Sequence, residues 1–407
     1  MRGFSLIWLG QIVSLVGSAM TWFAFTIWAW EKTGKASALA TISFFAFLPG
    51  VLLTPVAGAF VDRWDRKLVM LLSDFATALG TLTIFLIYVF GSLQIWHIYA
   101  VGILAGFFTA FQYPAYAAAV TTMLSKEDYA RAEGMLGAGR ALSGILAPLF
   151  AAALLGFIGL SGIMLIDLAT FLFAFGTLVL IHVPQPKQTE VGLKSKSTLW
   201  QEIQFGFRYI TERQSLRSLT ILFMLAGVFL AIGATLMAPL VLSLTHNNES
   251  ALAAVQATGA VGGVVGGVLL GLWGGTKRRI HNVLIGGAGA CLLGILWLGV
   301  SSTFLFWCIG SFLFAFFEPF VEGGNLAIWQ TKVEADVQGR VFSARHLLVQ
   351  IPYLLGILLA GYLAEASTIS SVLIFAGIAG AIVFMLSYLF SRLRDAETLL
   401  PDPMESL

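Results

Sequence analysis

Six ionisable residues stand inside apolar stretches where a charge is expensive: Asp74, Arg140, Asp167, Glu318, Glu322 and Arg345. At the centre of a membrane-spanning helix such a residue costs about 3 kcal/mol on insertion scales, so each demands a partner or a task. Glu318 and Glu322 are four residues apart, which places both carboxyls on one helix face. Two like charges withdrawn from water raise each other's affinity for a proton, so the chemistry offered is proton uptake and release by a coupled pair. The deeper Glu318 is then the carrier. A structural alternative stands beside this: Arg345, next to His346, would bridge Glu322. Asp74 and Arg140 are read as intramembrane charge partners, with attraction of an anionic substrate group as the second reading of Arg140. Asp167, near the external end of its span, is expected to reach water and receives no role. Cys291 and Cys308 have neither metal nor disulfide spacing, so no metal site is expected.

The elements that must hold these residues follow from hydropathy. Of the 407 residues 58% are hydrophobic and 11% charged, and the mean hydropathy is +0.89. A water-soluble domain would expose far too much apolar surface at that composition. Apolar runs fall at about 5–30, 38–61, 68–91, 96–123, 132–159, 162–183, 216–243, 251–274, 281–301, 303–327, 341–364 and 369–391. Each is long enough at ~1.5 Å per residue to cross a ~30 Å hydrocarbon core, and none alternates as barrel strands do. The predicted fold is an all-α membrane protein of twelve transmembrane helices in two six-helix bundles.

The boundaries are an N-terminal bundle at 1–183, a linker at 184–215, a C-terminal bundle at 216–394 and a short tail at 395–407. Within the linker, Ile203, Phe207 and Ile210 recur at helical spacing. They suggest an amphipathic helix on the membrane surface or a soluble linker helix. Outside the spans, every Lys and Arg falls on the side shared by both termini except Lys32 and Lys35, which puts the termini in the cytoplasm of a cell membrane. The first span reads as a retained helix, not a cleaved signal. No G-x-x-x-x-G-K-[ST] loop occurs, against an ATP-driven pump. The net charge of +2 is spread over loops, against a nucleic-acid partner, and no catalytic residue or domain to hold one is expected.

Two further patterns bear on organisation. Phe107, Ala110, Phe111 and Pro114 recur as Phe312, Ala315, Phe316 and Pro319 at an offset of 205, on corresponding helices of the two halves, which reads as a parallel repeat. Residues 58–67, G-A-F-V-D-R-W-D-R-K, form a dense charged turn between spans two and three. G-L-W-G-G-T-K-R-R at 271–279 echoes it without the carboxylates. A twelve-span chain with this turn resembles the major facilitator superfamily. Finer features are similar to its drug:proton antiporter-3 branch of macrolide and siderophore exporters: G-Q-I-V-S at 10–14, W-E-K-T-G at 30–34, A-F-Q-Y-P-A-Y at 110–116 and G-F-R-Y-I at 206–210. Span five departs from the antiporter pattern, with Ala147-Pro148 followed by Ala151-Ala152.

The resemblance implies a transporter that works by alternating access, takes its energy from the proton gradient and needs no cofactor. It also implies that the turn is a conformational latch, formed by Gly58, Asp62, Arg63, Arg66 and Lys67, with Asp62 resting near Arg340 at the start of span eleven. Spans one, four, seven and ten line the cavity in that fold. Candidate lining residues are therefore Gln11, Trp22, Phe25, Phe107, Phe111, Gln112, Tyr113, Phe316 and Phe317. Aromatic walls with few charges suit a bulky amphipathic small molecule, exported against protons by a monomer in the bilayer. Two other occupations of the fold remain: export of a native siderophore, metabolite or lipid, and a non-transporting membrane sensor, for which the short tail offers no signalling domain.

Overall fold

The computed structural model describes residues 2–61, 64–184, 199–334 and 337–389. Asp62 and Arg63 of the predicted latch lie outside the described residues, as do residues 185–198 of the linker and the tail. Five helices form the first half: α1 Arg2–Thr33, α2 Ala36–Val61, α3 Arg66–Phe90, α4 Ile95–Met123 and the 52-residue α5 Tyr129–Leu180. Seven follow: α6 Leu199–Glu212, α7 Gln214–Leu244, α8 Glu249–Trp273, α9 Arg279–Val300, α10 Phe304–Lys332, α11 Gln338–Ala366 and α12 Ile369–Leu389. α9 contains one π-helical turn at Ala290–Ile295. Eleven of these helices are long and apolar enough to cross a membrane. In α5 the backbone breaks at Gly159, whose φ of 63° is a conformation that a side chain opposes, so this one element makes two crossings. The twelve predicted crossings are thereby supplied.

The outer faces read as lipid contacts. On α3, Leu68, Leu72, Phe75, Leu79, Leu82 and Leu86 recur every three or four residues and are all exposed, while Met70, Asp74, Thr81 and Ile84 on the other side are buried. An exposed apolar stripe of that length has no place in water and fits hydrocarbon.

The helices group into two compact units, residues 1–34 with 41–197, and residues 35–40 with 198–407. In the first unit α1 lies close against the second arm of α5. A Cβ at Gly17 would sit 2.1 Å from Thr170 Oγ1 and 3.2 Å from the Asp167 Cα, so this approach requires glycine. In the second unit the glycines of α8 meet the backbone of α10, with Cβ positions at Gly262 and Gly266 falling 2.2 Å from the Phe312 carbonyl oxygen and 2.1 Å from that of Phe316.

The basic residues of the charged turns close helix ends within their own units. The Arg66 guanidinium, 9% exposed, donates to the Ala118 carbonyl at 2.7 Å near the end of α4, and Lys67 Nζ donates to the Val179 and Ile181 carbonyls at the end of α5. Asp65 caps α3 by accepting from the Leu68 N–H at 2.8 Å. In the second unit Arg279 donates to the Ala327 carbonyl at 2.9 Å near the end of α10, the counterpart of the Arg66 contact. These cations satisfy the carbonyls and negative dipole ends that helix termini leave over.

The linker helix α6 belongs to the second unit and lies on α11, where a Cβ at Gly206 would meet the Arg340 carbonyl at 2.4 Å. Tyr209 and Ile210 are buried in that contact, so its apolar face is covered by protein rather than left for a membrane surface. Tyr209 donates its hydroxyl proton to Glu334, and the Arg213 guanidinium stacks 3.4 Å from the Tyr209 ring centroid.

A candidate transport cavity in the first unit

α1, α3, α4 and α5 enclose a cavity of about 440 Å³ within the first unit. Its walls are mainly aromatic and aliphatic, with Trp8, Trp22, Tyr113, Tyr116 and Phe171 among them. Polar groups enter from all four helices, and on two of them they form a stripe. On α1 these are Gln11, Ser14 and Ser18, on α3 Asp74, Thr77 and Thr81, at intervals of three and four residues that return to the same helix face.

Asp74 is 8% exposed and held by two amides. Gln11 Nε2 donates to Oδ2 at 2.9 Å and Gln112 Nε2 donates to Oδ1, so α1, α3 and α4 meet at this carboxylate. Two turns along, roughly 10.5 Å by helical rise, lies Asp167 from the second arm of α5. It is 4% exposed, with Ser18 Oγ donating to Oδ1 at 2.8 Å and Thr81 Oγ1 donating to Oδ2 at 3.0 Å. The expectation that Asp167 reaches water is therefore corrected: the close approach at Gly17 seals it between α1 and α5. Arg140 and Glu133 also line the cavity.

Two other expectations change. Asp74 and Arg140 are not partners, because the two amides already occupy both Asp74 oxygens. Arg140 instead reaches toward the Tyr113 ring, 6.0 Å from its centroid, and among the described residues it makes no ion pair. Arg345 does not bridge Glu322 either; it lies 5.2 Å from the centroid of the Trp329 ring. Glu318 and Glu322 lie on an accessible face of the second unit, and Glu318 is nevertheless crowded by surrounding protein and by the Glu322 carboxylate. The rotation of α10 leaves that face open. Its backbone at Phe316 is pressed on α8, and Glu318, about 200° further round at 100° per residue, points away from that contact.

Of the predicted lining residues, Gln11, Trp22, Gln112 and Tyr113 border the cavity. Phe25 is buried beside it, edge-on to Trp22 with centroids 5.8 Å apart. Phe107 and Phe111 turn to each other and Phe111 to Phe60, outside the cavity wall. Phe316 and Phe317 pack with Phe320 in the second unit. Of the predicted latch, Arg66 and Lys67 hold the carbonyls described above, a Cβ at Gly58 would meet nothing within 4 Å, and Arg340 lies 4.5 Å from the Phe205 ring centroid on α6. Ser18, Thr81, Glu133 and the role of Asp167 escaped the sequence reading. The signal for Ser18 was the polar stripe Gln11, Ser14, Ser18, Thr21 repeating at helical spacing through an apolar helix.

The profile of the Major Facilitator Superfamily matches residues 7–357. The chain belongs to this superfamily. It is a membrane-embedded, multi-pass transporter and not an enzyme. Macrolide efflux protein A of Streptococcus pyogenes is 27% identical over 369 residues, 89% of each chain, and the protein of the same name from Enterococcus faecalis is 26% identical over 331 residues, 80% of this chain and all of the other. The resemblance to the macrolide-exporter branch read from the motifs is thus met among its relatives. The fold is shared with solved transporter structures. A bacterial homologue of the iron transporter ferroportin aligns with a TM-score of 0.69 at 16% identity over 95% of this chain and 98% of the other. The nucleoside transporter NupG aligns at 0.74 with 11% identity over 96% and 100%.

Proposed function

We propose that this superfamily member exports amphipathic, macrolide-like small molecules in exchange for protons by alternating access, as a monomer in the cell membrane with both termini in the cytoplasm. The proton gradient is its energy source, and it uses no cofactor. The observation that best supports this reading is the aromatic-walled cavity with the Asp74 carboxylate on its wall, buried and held by amides alone. An ionised carboxylate withdrawn from water without a countercharge is costly, and taking up a proton removes that cost. Substrate in the cavity displaces water near Asp74 and alters its proton affinity, which links the two cargoes through one site. Glu318 and Glu322, exposed on the second unit, are the second candidates for proton carrier. The relatives named as macrolide efflux proteins support the direction and the class of substrate.

Arg140 favours one variant of this reading. A guanidinium in the cavity without an ion-pair partner among the described residues would attract a carboxylate, so an anionic native metabolite or siderophore is the alternative cargo. The test is proton release from everted vesicles with an acidic interior, on addition of macrolides, siderophores, dyes and lysolipids. Release by uncharged or cationic macrolides supports the first cargo. Release by anionic siderophores alone, lost on Arg140→Glu, supports the second. Silence with every compound, from folded protein, overturns proton exchange.

A further inference from the structure

Asp167 is the buried charge that export leaves without a task. Among the described residues no Lys, Arg or His lies within 4.0 Å of it. Against its carboxylate lies a second cavity, of about 10 Å³, bordered by Ser18, Thr21, Thr77, Thr81 and Trp22. That volume suits a single water-sized occupant. The Thr21 hydroxyl, 2% exposed, borders the same cavity and is turned toward Asp167, which adds a third hydroxyl to the carboxylate's surroundings.

The donors distinguish this site from Asp74. The amide nitrogens on Asp74 can only donate, whereas each hydroxyl around Asp167 also has lone pairs and can rotate to present them. Ser18, Thr21 and Thr81 thus offer three neutral oxygens around one carboxylate. Hard oxygen donors select a hard cation, and a single carboxylate balances a single positive charge. A calcium ion would call for 6–8 oxygen ligands, more than one carboxylate and three hydroxyls supply. We infer that Asp167, Ser18, Thr21 and Thr81 form a binding site for one sodium ion, with the hydroxyls turning from donors to the carboxylate into ligands of the ion. Sodium here neutralises the carboxylate and ties α1, α3 and α5 together in the middle of the first unit.

The test is sodium-22 binding to the purified full chain in choline chloride at constant ionic strength, with thermal unfolding followed in parallel. Wild type is expected to bind one ion saturably and to unfold at a higher temperature in sodium than in choline. Asp167→Asn should abolish both effects. Thr21→Val, which exchanges only that hydroxyl for a methyl, should weaken binding by about tenfold, the order of one lost polar contact. If Asp167→Asn fails to fold, Thr21→Val decides. The inference is overturned if wild type does not bind sodium, if potassium or choline stabilises it equally, or if Thr21→Val binds as tightly as wild type. Binding is read without gradient or substrate, so its outcome is separate from that of the proton-release experiment.

Discussion

Replacing Asp74 separates its role in coupling from its role in packing. Asp74→Asn preserves the shape and one carbonyl acceptor. Either Gln11 or Gln112 can turn its amide over, so that its carbonyl oxygen receives the new Asn N–H and the contact survives. What is lost is the charge-assisted part of one of two hydrogen bonds, and the expected cost in stability is about 1 kcal/mol. Asp74→Leu is different, because it leaves two buried amide groups without an acceptor at about 1–3 kcal/mol each, so the expected loss is about 2–6 kcal/mol. Thermal unfolding of the purified variants measures that separation, and substrate-induced proton release in everted vesicles measures function. The Asn variant should be nearly as stable as wild type and yet release no protons on substrate addition, because an amide does not titrate. Wild-type proton release from Asp74→Asn would refute Asp74 as carrier. If Glu318→Gln were silent in the same experiment, the carrier would move to the second unit. Equal stability of the Asn and Leu variants would refute the two-amide geometry itself.

Other consequences are independent. Gly17→Ala forces a Cβ onto Thr170 Oγ1 and the backbone of Asp167, so it should cost about 1–3 kcal/mol; Gly17→Ala with Thr170→Ala should recover part of that in a double-mutant cycle of unfolding temperatures, leaving the backbone contact. Arg66→Ala removes the donor to the Ala118 carbonyl and should destabilise the chain by about 1–3 kcal/mol, with proteolysis first appearing near the α3–α4 end of the first unit. The docking of α6 should depend on pH. The hydrogen bond from Tyr209 holds the Glu334 carboxyl below its ordinary range, so its contribution is present above the ordinary glutamate pKa and is lost as pH falls through the depressed value. Burial, then the bond to Glu334, pushes the Tyr209 phenol up to about 12, so its contribution is complete below the ordinary tyrosine pKa and is lost as pH rises through about 12. Protection of residues 199–212 against hydrogen exchange, corrected for the intrinsic pH dependence of exchange, should fall in acid, and Tyr209→Phe should remove that acid dependence.

Local composition was enough to determine the spans and the family. Runs of some twenty apolar residues, a glycine and basic turn after the second run, and a half-length repeat are legible residue by residue, because the bilayer imposes the same length and polarity on every crossing. The glycines of α8 that meet α10 recur at three and four residues, which is the local pattern of a close helix contact. Which charges meet is a different kind of question. Hydropathy locates a residue along a span but leaves the rotation of each helix and the choice of neighbour open. Asp74 was read against Arg140 on depth alone, and only the packing of α1, α3 and α4 brought Gln11, 63 positions away, and Gln112 to its two oxygens. Asp167 is expected to be wet from its place near the external end of its span. The Gly17 approach buried it beneath Ser18, 149 positions away. Glu318 and Glu322 do share a face, as their spacing requires, but the pressing of α10 on α8 decided that this face is an open one. The chain therefore dictates where charge enters the membrane, and tertiary packing decides which charge is sealed, which is paired and which faces a cavity.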